Sequence, residues 1–399
     1  MDQIRLIKED ELNESLALSE FAFQVTIAPE EREQRIAVLK TEQNWGYFVD
    51  NKLAAKLMIL KLHTWINGKV FDMGGIAAVA TWPEYRRQGM VGQLLSQSLK
   101  SMKEAGQTLS FLAPFSFGFY RKYGWESYSE FVRYELASNQ LPKPEVAEGS
   151  TLRRIEADPA ILNPIYEAYA KQFNGMLVRN EGWWPRRVFS RKPGIVTLYL
   201  NPAGEPEGYI IYQVKERVLT VHEMVALTED ARRAIWRLIS NHDSMIEKVV
   251  CQAPEGDSLP FMLADPRIKQ EIVPYFMARI VDAEAFLKLY PFEAVADSSE
   301  ASNPFYLQLR DGHAEWNNGI FRIVPRNGEG NDIIKLDEAD SIEGKYILSC
   351  DIQTLAALLM GYKRASFLHR IGRLQGDAAE IARLEKFIPE RTTYLTDFF

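Results

Sequence analysis

The stretch VATWPEYRRQGMVGQLLSQSL, residues 79–99, joins the end of an apolar strand to an amphipathic helix through a proline turn, two arginines and two glycines. From residue 90 onward the apolar residues recur one, three or four positions apart, so they share one face of a helix. They are Met90, Val91, Leu94, Leu95, Leu99 and Met102. The stretch therefore predicts a strand–turn–helix unit whose helix packs on a sheet.

The turn before this helix carries the residue types of a phosphate site. A helix N-terminus exposes backbone N–H groups and the positive end of the helix dipole. Arg86 and Arg87 supply charge, Gly89 allows close approach to the backbone, and Gly92 allows tight packing one turn later. The sequence contains neither the GxxxxGK[ST] nor the GxGxxG motif. On these residues alone, solvated arginines at an ordinary packing joint are an equal alternative.

The composition is that of a folded chain with more than one domain. The 399 residues exceed a common domain length, and 46% hydrophobic with 25% charged residues fit a buried core beneath a polar surface. The formal net charge is −7 at pH 7. This mild acidity argues against a dedicated nucleic-acid binder and leaves cationic ligands possible on electrostatic grounds.

The sequence predicts neither a metal centre nor a disulfide framework. Cys251 and Cys350 lie far apart in apolar stretches, and the histidines show no ligand spacing. The first residues lack the basic and apolar regions of a signal peptide. No stretch approaches the ~18 uninterrupted apolar residues of a membrane helix. We therefore expect a cytoplasmic protein that does not insert into a membrane.

The order of predicted elements divides the chain into three domains of class α/β (α+β). Residues 1–145 contain a strand and helix, a hairpin, then strand, helix and strand, and end in the linker QLPKPEVAEGS at residues 140–150. Residues 146–290 repeat this order with different residues, which indicates a degenerate internal repeat. Chance similarity of common α/β pieces is the alternative. Residues 291–399 form a third domain with its own hairpin and helices.

The second repeat lacks the phosphate features of the first. It has ALTEDARRAIW where the first repeat has ATWPEYRRQGMVG. Glu229 and Asp230 stand where phosphate would lie, and no glycine opens the predicted helix. We therefore expect one cofactor site per chain, in the first domain.

The strand ending at Val79, the Pro83 turn, the arginine–glycine run and the segment FYRKYGW, residues 119–125, together resemble the acyl-CoA-binding core of the GNAT N-acetyltransferases. The three-part plan goes further: a GNAT domain, a degenerate GNAT-like domain and a sterol-carrier-like domain. This plan resembles the Eis (enhanced intracellular survival) acetyltransferases over essentially the whole chain. The resemblance favours a phosphate cradle over an ordinary packing joint with solvated arginines.

The resemblance implies acetyl-CoA as the co-substrate, without a metal. Val79 and Thr81 would pair with the pantetheine arm. The pyrophosphate would be held by four residues of the turn, namely Arg86, Arg87, Gly89 and Gly92. The family also implies a small-molecule amine as acceptor and a homohexameric assembly.

Acetyl transfer to an amine needs a base for the amine and an acid for the departing thiolate. By resemblance, Tyr120 is the acid and the C-terminal carboxylate of Phe399 is the base. The end TYLTDFF is unusually apolar for a free tail, which favours burial. Asp397 would add negative charge that attracts a polycationic amine. Tyr123 and Trp125 are expected in the core, because aromatics at helical spacing usually pack there.

Three acceptor or ligand classes compete. Aminoglycosides are the acceptors that the resemblance implies, and protein lysines or polyamines would use the same machinery. A lipid-binding or scaffold protein with an inactive GNAT portion is the third hypothesis, suggested by the apolar segment IQTLAALLMG, residues 352–361. We expect this segment to be a core helix, because it lacks the basic amphipathic face of a membrane-binding helix.

Overall fold

The computed structural model describes residues 2–39, 41–293, 303–326, 330–337 and 346–399. Within them lie two seven-stranded sheets and one four-stranded sheet, with helices on their faces, which confirms the predicted mixed α/β class. The predicted start of the third domain, residue 291, lies three residues before residues 294–302, which are outside the described residues.

The first sheet is built mostly from the N-terminal third of the chain. Its spatial order is β1 (Gln3–Leu6), β2 (Asn44–Val49), β3 (Lys52–Ile66), β4 (Lys69–Thr81), β5 (Leu109–Leu112), β14 (Met277–Ile280) and β6 (Glu126–Ser127). The pairings are antiparallel, apart from the parallel pair β4–β5. Asp50 and Asn51 join β2 to β3 with φ values of 47° and 64°, the geometry of a type I′ hairpin turn.

The second sheet repeats this arrangement. Its spatial order is β8 (Thr151–Ile155), β9 (Ile195–Leu200), β10 (Pro206–Lys215), β11 (Val218–Ala226), β12 (Lys248–Ala253), β7 (Glu130–Ala137) and β13 (Lys269–Pro274). Its one parallel pair, β11–β12, corresponds to β4–β5 of the first sheet. The matching strand order supports an internal repeat over a chance similarity.

The two repeats exchange one strand each. β7 follows the first repeat in sequence but lies between β12 and β13 of the second sheet. In return, β14 lies between β5 and β6 of the first sheet. Strand pairing crosses the boundary predicted at residues 145/146 in both directions. The boundary therefore stays a prediction about the sequence and does not separate the two sheets. The two sheets therefore form one interlocked unit.

The helices occupy the positions that apolar periodicity predicts. On the first repeat they are α1 (Leu12–Phe23), α2 (Pro29–Val38), α3 (Met90–Glu104) and α4 (Phe117–Arg121). On the second they are α5 (Pro159–Ala170), α6 (Glu229–Ser240) and α7 (Leu259–Met262). α3 buries the predicted face apart from Val91, which is half-buried. None of the helices in the described part of the chain has the length and apolar character needed to cross a membrane.

From residue 283 onward, the chain carries a four-stranded sheet and four helices within its described residues; the first of these helices precedes the predicted start of the third domain. The sheet order is β17 (Asp332–Leu336), β16 (Gly319–Val324), β15 (Phe305–Arg310) and β18 (Ile347–Asp351). The helices are α8 (Ala283–Leu289), α9 (Ile352–Leu359), α10 (Ala365–Arg370) and α11 (Ala378–Phe387). Nearly every residue of the apolar helix α9 is buried, which confirms it as a core element.

One hydrophobic core runs through all three domains. It includes Phe71 of β4, Tyr166 of α5 and Phe321 of β16, and it also takes in the C-terminal Phe399. A buried ion pair between Arg279 of β14 and Asp311, with N–O distances of 2.7 and 2.9 Å, further ties the first sheet to the third domain. Because Phe399 belongs to this core, the chain end lies against the first sheet.

Candidate active site

The first sheet opens between β4 and β5, a place we call the first split. The two strands pair in parallel from Met73–Ile76 against Leu109–Leu112, and beyond Ile76 they separate. β4 is also bulged here, because its register with β3 shifts and Ala78 adopts a φ of 50°. A bulge interrupts the regular ladder and re-aims the backbone. Backbone groups around Val79 thus face a gap rather than a neighbouring strand.

The turn after β4 leaves the N-terminus of α3 open. Gly89 is the N-cap residue, with a φ of 79°, and none of the described side chains caps this helix end. A Cβ atom on Gly89 would meet no described atom within 4 Å. The N–H groups of the first turn are therefore available to an anion, with the helix dipole reinforcing the attraction. Arg86 and Arg87 follow the 3₁₀ turn at Pro83–Tyr85 and add two positive charges.

A cavity of about 650 Å³ occupies the first split. It is lined by all six residues that the sequence assigned to the cofactor: Val79, Thr81, Arg86, Arg87, Gly89 and Gly92. The volume lies in the usual range for small-molecule sites. A splayed strand for an amide-bearing arm and an uncapped basic helix end for phosphates together fit acetyl-CoA. The roles of the single residues remain predictions.

The sequence interpretation missed part of the cavity wall. Phe115 and Phe119 line it from the segment before and within α4, and Ala22 and Phe23 line it from the end of α1. The density of aromatics in residues 115–125 was a usable signal for the first pair. α1 carried no such signal, since its approach to the turn depends on how the sheet folds.

Tyr123 also lines the cavity, so its assignment to the core was wrong in part. It is half-buried and contacts α3 at Gly92, where a Cβ atom would lie only 2.4 Å from the Tyr123 hydroxyl. This contact explains the tight packing predicted for Gly92. Trp125, in contrast, is completely buried, as predicted.

Tyr120 lies beside this cavity on α4. Its ring is buried and lies 5.2, 5.1 and 6.5 Å, between centroids, from the rings of Phe115, Phe119 and Trp125 respectively. Burial raises the pKa of the Tyr120 phenol, because a phenolate would lose its hydration in this apolar setting. The side chain is therefore protonated at neutral pH and can act as a proton donor.

The C-terminal tail reaches the first sheet on the face opposite α3. An ideal Cβ atom on Gly75 of β4 would lie 2.7 Å from the Phe399 ring, whereas one on Gly74 would meet Met102 of α3. Phe399 is buried and packs on Phe276, with ring centroids 5.1 Å apart. Among the described residues, no Lys, Arg or His forms an ion pair with the terminal carboxylate.

Asp397 has a different surrounding from the one predicted. Its carboxylate is buried and accepts hydrogen bonds from Arg179 Nε at 3.1 Å, Trp183 Nε1 at 2.8 Å and Tyr166 Oη at 3.2 Å. The same guanidinium binds both oxygens of Glu223, at 2.9 and 2.7 Å. The prediction that Asp397 attracts a cationic substrate needs correction, since Arg179 already neutralises its charge. Its contacts instead hold the tail against the second repeat.

The corresponding helix of the second repeat is closed. Thr228 caps α6, its side chain accepting a hydrogen bond from the Ala231 backbone N–H at 3.2 Å. Glu229 and Asp230 fill the first turn, and Glu229 pairs with Arg232 and Arg233. Among the described residues, the N-terminus of α6 is thus capped and acidic, so the helix end itself does not favour a phosphate. The expectation of a single acetyl-CoA site per chain stays a prediction that this geometry supports.

Comparison with known families assigns all three parts of the chain. Residues 3–128 match the family model of an acetyltransferase (GNAT) domain, and residues 175–280 match a second acetyltransferase (GNAT) domain model. Residues 283–396 match a sterol carrier protein domain. The described residues hold no cluster of three or more His, Cys, Asp or Glu side chains arranged to bind a metal ion.

Relatives of similar length exist in several bacteria. An uncharacterized N-acetyltransferase of Streptomyces griseus is 24% identical over 346 residues, which are 80% of this chain and 79% of that protein. The N-acetyltransferase Eis of Mycobacterium tuberculosis is 24% identical over 343 residues, 79% of this chain and 77% of the relative. The crystal structure of a probable N-acyltransferase from Enterococcus faecalis superimposes with a TM-score of 0.90 and 28% identity, over the full length of both chains.

The fold and the first split define a tandem GNAT N-acetyltransferase with a sterol-carrier-type third domain. Within this class, the chain is similar to the N-acetyltransferase Eis over about four fifths of its length, at 24% identity. Enzymes of this kind use acetyl-CoA as the acetyl donor.

Proposed function

We propose that this enzyme transfers the acetyl group directly from acetyl-CoA to a primary amine, with Tyr120 as general acid and the terminal carboxylate of Phe399 as general base. Aminoglycosides are the acceptor class that the family resemblance implies. The open phosphate cradle at the first split carries the proposal, and the buried Tyr120 phenol beside it and the Phe399 ring packed on β4 support the two catalytic roles.

The cradle divides the work of holding acetyl-CoA between backbone and side chains. The bulged end of β4, at Val79 and Thr81, offers amide groups to the pantetheine arm. The N-terminus of α3, with Gly89 and the two preceding arginines Arg86 and Arg87, holds the pyrophosphate. Bound acetyl-CoA supplies an acetyl thioester, whose carbonyl carbon is open to attack by a neutral amine.

The two proton transfers involve the Phe399 carboxylate and the Tyr120 hydroxyl. The amine nitrogen bonds to the acetyl carbon while the Phe399 carboxylate accepts the proton that the nitrogen loses. The carbon–sulfur bond breaks, and the Tyr120 hydroxyl gives its proton to the leaving sulfur. The Tyr120 phenol is protonated at neutral pH, and burial raises its pKa further. Among the described residues the Phe399 carboxylate has no ion-pair partner, which leaves its oxygens able to accept a proton.

The apolar helix α9 gives no support to the lipid-scaffold hypothesis, because nearly all of its side chains are buried in the core. Protein lysines and polyamines remain acceptors that the same chemistry would serve. The homohexamer and the cytoplasmic location are likewise proposals that rest on the family resemblance and the sequence.

The test is the release of CoA thiol from acetyl-CoA with an aminoglycoside panel, spermidine and a lysine peptide as acceptors. The native enzyme should turn over at least one aminoglycoside. A variant with three residues added after Phe399 should lose activity by about 100-fold or more, which is the usual share of a general base. The same three residues added at the N-terminus form the matched control and should leave turnover unchanged.

Added residues could displace the tail as well as cap its charge, so a terminal amide made by semisynthesis separates the two effects. The amide retains the Phe399 ring and removes the base. Loss of turnover in the amide variant, with unchanged CoA affinity and thermal unfolding, would support the base. Retained activity in both variants would exclude it. Binding of acetyl-CoA without turnover of any aminoglycoside would exclude that acceptor class and leave spermidine or the lysine peptide as the measured substrate.

A further inference from the structure

The second sheet has a split of its own, at the position equivalent to the first. β11 and β12 pair in parallel from Val218–Thr220 against Lys248–Val250, and beyond these residues they separate. A cavity of about 310 Å³ lies at this second split, lined by the strand residues there, by residues 187 and 191–192, and by the tail residues Thr396–Phe398. We call it the basic cavity.

Four cationic side chains line the basic cavity, and two of them are already neutralised. Lys192 pairs with Glu223, and Arg133 pairs with Glu271 at 3.2 Å. Arg187 and Arg191 have no carboxylate partner in the described part of the chain. Burial and the nearby Arg191 and Arg186 charges lower the pKa of the Arg187 guanidinium. Asp397 also lines the cavity, but its carboxylate is bound by Arg179, so among the described residues Arg187 and Arg191 have no carboxylate of their own.

Polar groups on the cavity wall complete a site for an anion. The Nε2 atom of His222 is buried without a hydrogen-bond partner among the described residues. A buried nitrogen of this kind costs free energy unless a ligand or water satisfies it. Tyr275 also lines the cavity, but its hydroxyl donates a hydrogen bond to the Asp397 backbone carbonyl at 3.1 Å, so His222 is the polar group that a ligand would satisfy. Guanidinium groups bind carboxylate and phosphate oxygens in a bidentate manner, so an oxyanion matches this wall.

The basic cavity is separate from the acetyl-CoA site. Within the described residues, the two cavities share no lining residue, and the basic one has less than half the volume. Its neighbouring helix α6 is capped by Thr228 and starts with two acidic residues, so it offers no cradle for a nucleotide. A small ligand therefore suits it better than a second cofactor.

We propose that the basic cavity binds a small oxyanion, a carboxylate or a phosphate, through Arg187 and Arg191. The same cavity touches the catalytic end of the chain: Phe398 lines it, and the Arg191 guanidinium lies 4.7 Å from the centre of the Phe398 ring. The oxyanion is thus placed one residue away from the terminal carboxylate. It either belongs to the acceptor itself or is a free anion, and the second of these sources does not depend on the proposed function.

Binding is tested first, without any turnover. Inorganic phosphate is titrated calorimetrically into the full chain saturated with CoA, which blocks the first cradle, at low ionic strength with chloride as the ionic control. The native protein should bind phosphate saturably, at one site per chain. Arg187→Gln together with Arg191→Gln should weaken binding about tenfold or more, because the charge-assisted hydrogen bonds to the phosphate are lost. Either single variant serves if the pair unfolds.

Arg186→Gln is the matched control, because Arg186 lies on the same turn but directs its Nε to the Gly182 carbonyl at 2.8 Å and is not part of the cavity lining. It should bind phosphate as the native chain does. Absence of saturable binding in the native chain, or equal binding in the native chain and the Arg187/Arg191 variants, would overturn the proposal.

The source of the oxyanion is found with two acceptors that differ by one group. Lysine and cadaverine carry the same two amines on a five-carbon chain, and lysine differs only by the carboxylate next to its α-amine. If the acceptor supplies the oxyanion, kcat/KM should favour lysine about tenfold in the native enzyme, and the Arg187/Arg191 variant should abolish that preference. If both acceptors react equally and phosphate still binds, the ligand is a free anion. If the native enzyme turns over neither acceptor but still binds phosphate, the proposed function is wrong and the oxyanion site in the basic cavity stands.

Discussion

The two splits have the same position in their sheets and opposite chemistry at the adjoining helix. At the first, a left-handed Gly89 opens α3, and the cavity measures about 650 Å³. At the second, Thr228 closes α6, Glu229 and Asp230 add negative charge, and the cavity measures about 310 Å³. One fold position can thus serve a nucleotide or exclude it, according to a few residues around one helix N-terminus.

The splits are also joined by the C-terminal tail. Asp397 is anchored through Arg179 to Glu223 of β11, next to the second split, and two residues later Phe399 packs on β4 near the first. The second repeat therefore positions the group proposed as the base for the first. In the proposed mechanism, the degenerate repeat thereby contributes to catalysis by holding the tail in place.

The largest expected effect comes from Tyr120→Phe. Removing the hydroxyl takes away the proton donor but leaves the buried ring, so kcat should fall by about 10²–10⁴ while the dissociation constant of acetyl-CoA stays the same. Steady-state thiol release and calorimetry measure the two quantities. Tyr134→Phe, which removes another buried phenol from the second sheet, is the control and should keep kcat. A kcat for Tyr120→Phe within a few-fold of native would place the acid elsewhere.

Next in size is the break between the tail and the second repeat, made by Arg179→Met. Asp397 would stay buried without its counter-charge while Glu223 keeps Lys192, and breaking a buried ion pair in this way costs about 3–5 kcal/mol. Denaturant unfolding should show this loss. Adding Asp397→Asn to the variant should recover part of it, because the uncompensated charge then disappears. Equal stability of the single and double variants would contradict the network.

A third test replaces the arginine pair of each split by glutamine, one pair at a time. Arg86→Gln with Arg87→Gln should raise the dissociation constant of CoA about tenfold and weaken its salt dependence, since two charges near the phosphates are lost. Arg187→Gln with Arg191→Gln should leave CoA binding within about twofold. If the second pair weakens CoA binding as much as the first, the cofactor occupies both splits, and the distinction drawn between them is wrong.

Local sequence was enough to find the first split. Val79, Thr81, Arg86, Arg87, Gly89 and Gly92 span one continuous stretch, so a strand–turn–helix assignment places them together automatically. The exchanged strands could not be found in this way. β7 and β14 are ordinary strand segments, and their partners are decided by the packing of the whole chain rather than by their own residues.

The surroundings of Asp397 show the same limit from the side of charge. Counted along the sequence, it is one acidic residue in an apolar tail, which predicts an exposed charge. Its partner Arg179 is 218 positions away and Glu223 lies 44 positions beyond that arginine. Only the fold brings them into contact. The burial of the tail itself was readable, because its aromatic residues predicted it, and Phe399 is indeed 7% exposed.

The smallest expected effect concerns Gly89, which leaves the N-terminus of α3 open where Thr228 caps the N-terminus of α6. Gly89 and Gly106 flank α3 with φ values of 79° and 73°, and a Cβ atom on either would meet no described atom within 4 Å. Gly89→Ala and Gly106→Ala should therefore lose similar stability, about 1–2 kcal/mol, from the left-handed conformation alone. CoA affinity should fall for Gly89→Ala and stay unchanged for Gly106→Ala, since the phosphates approach only the first position. Equal CoA affinities in the two variants would mean that Gly89 serves the turn and not the ligand.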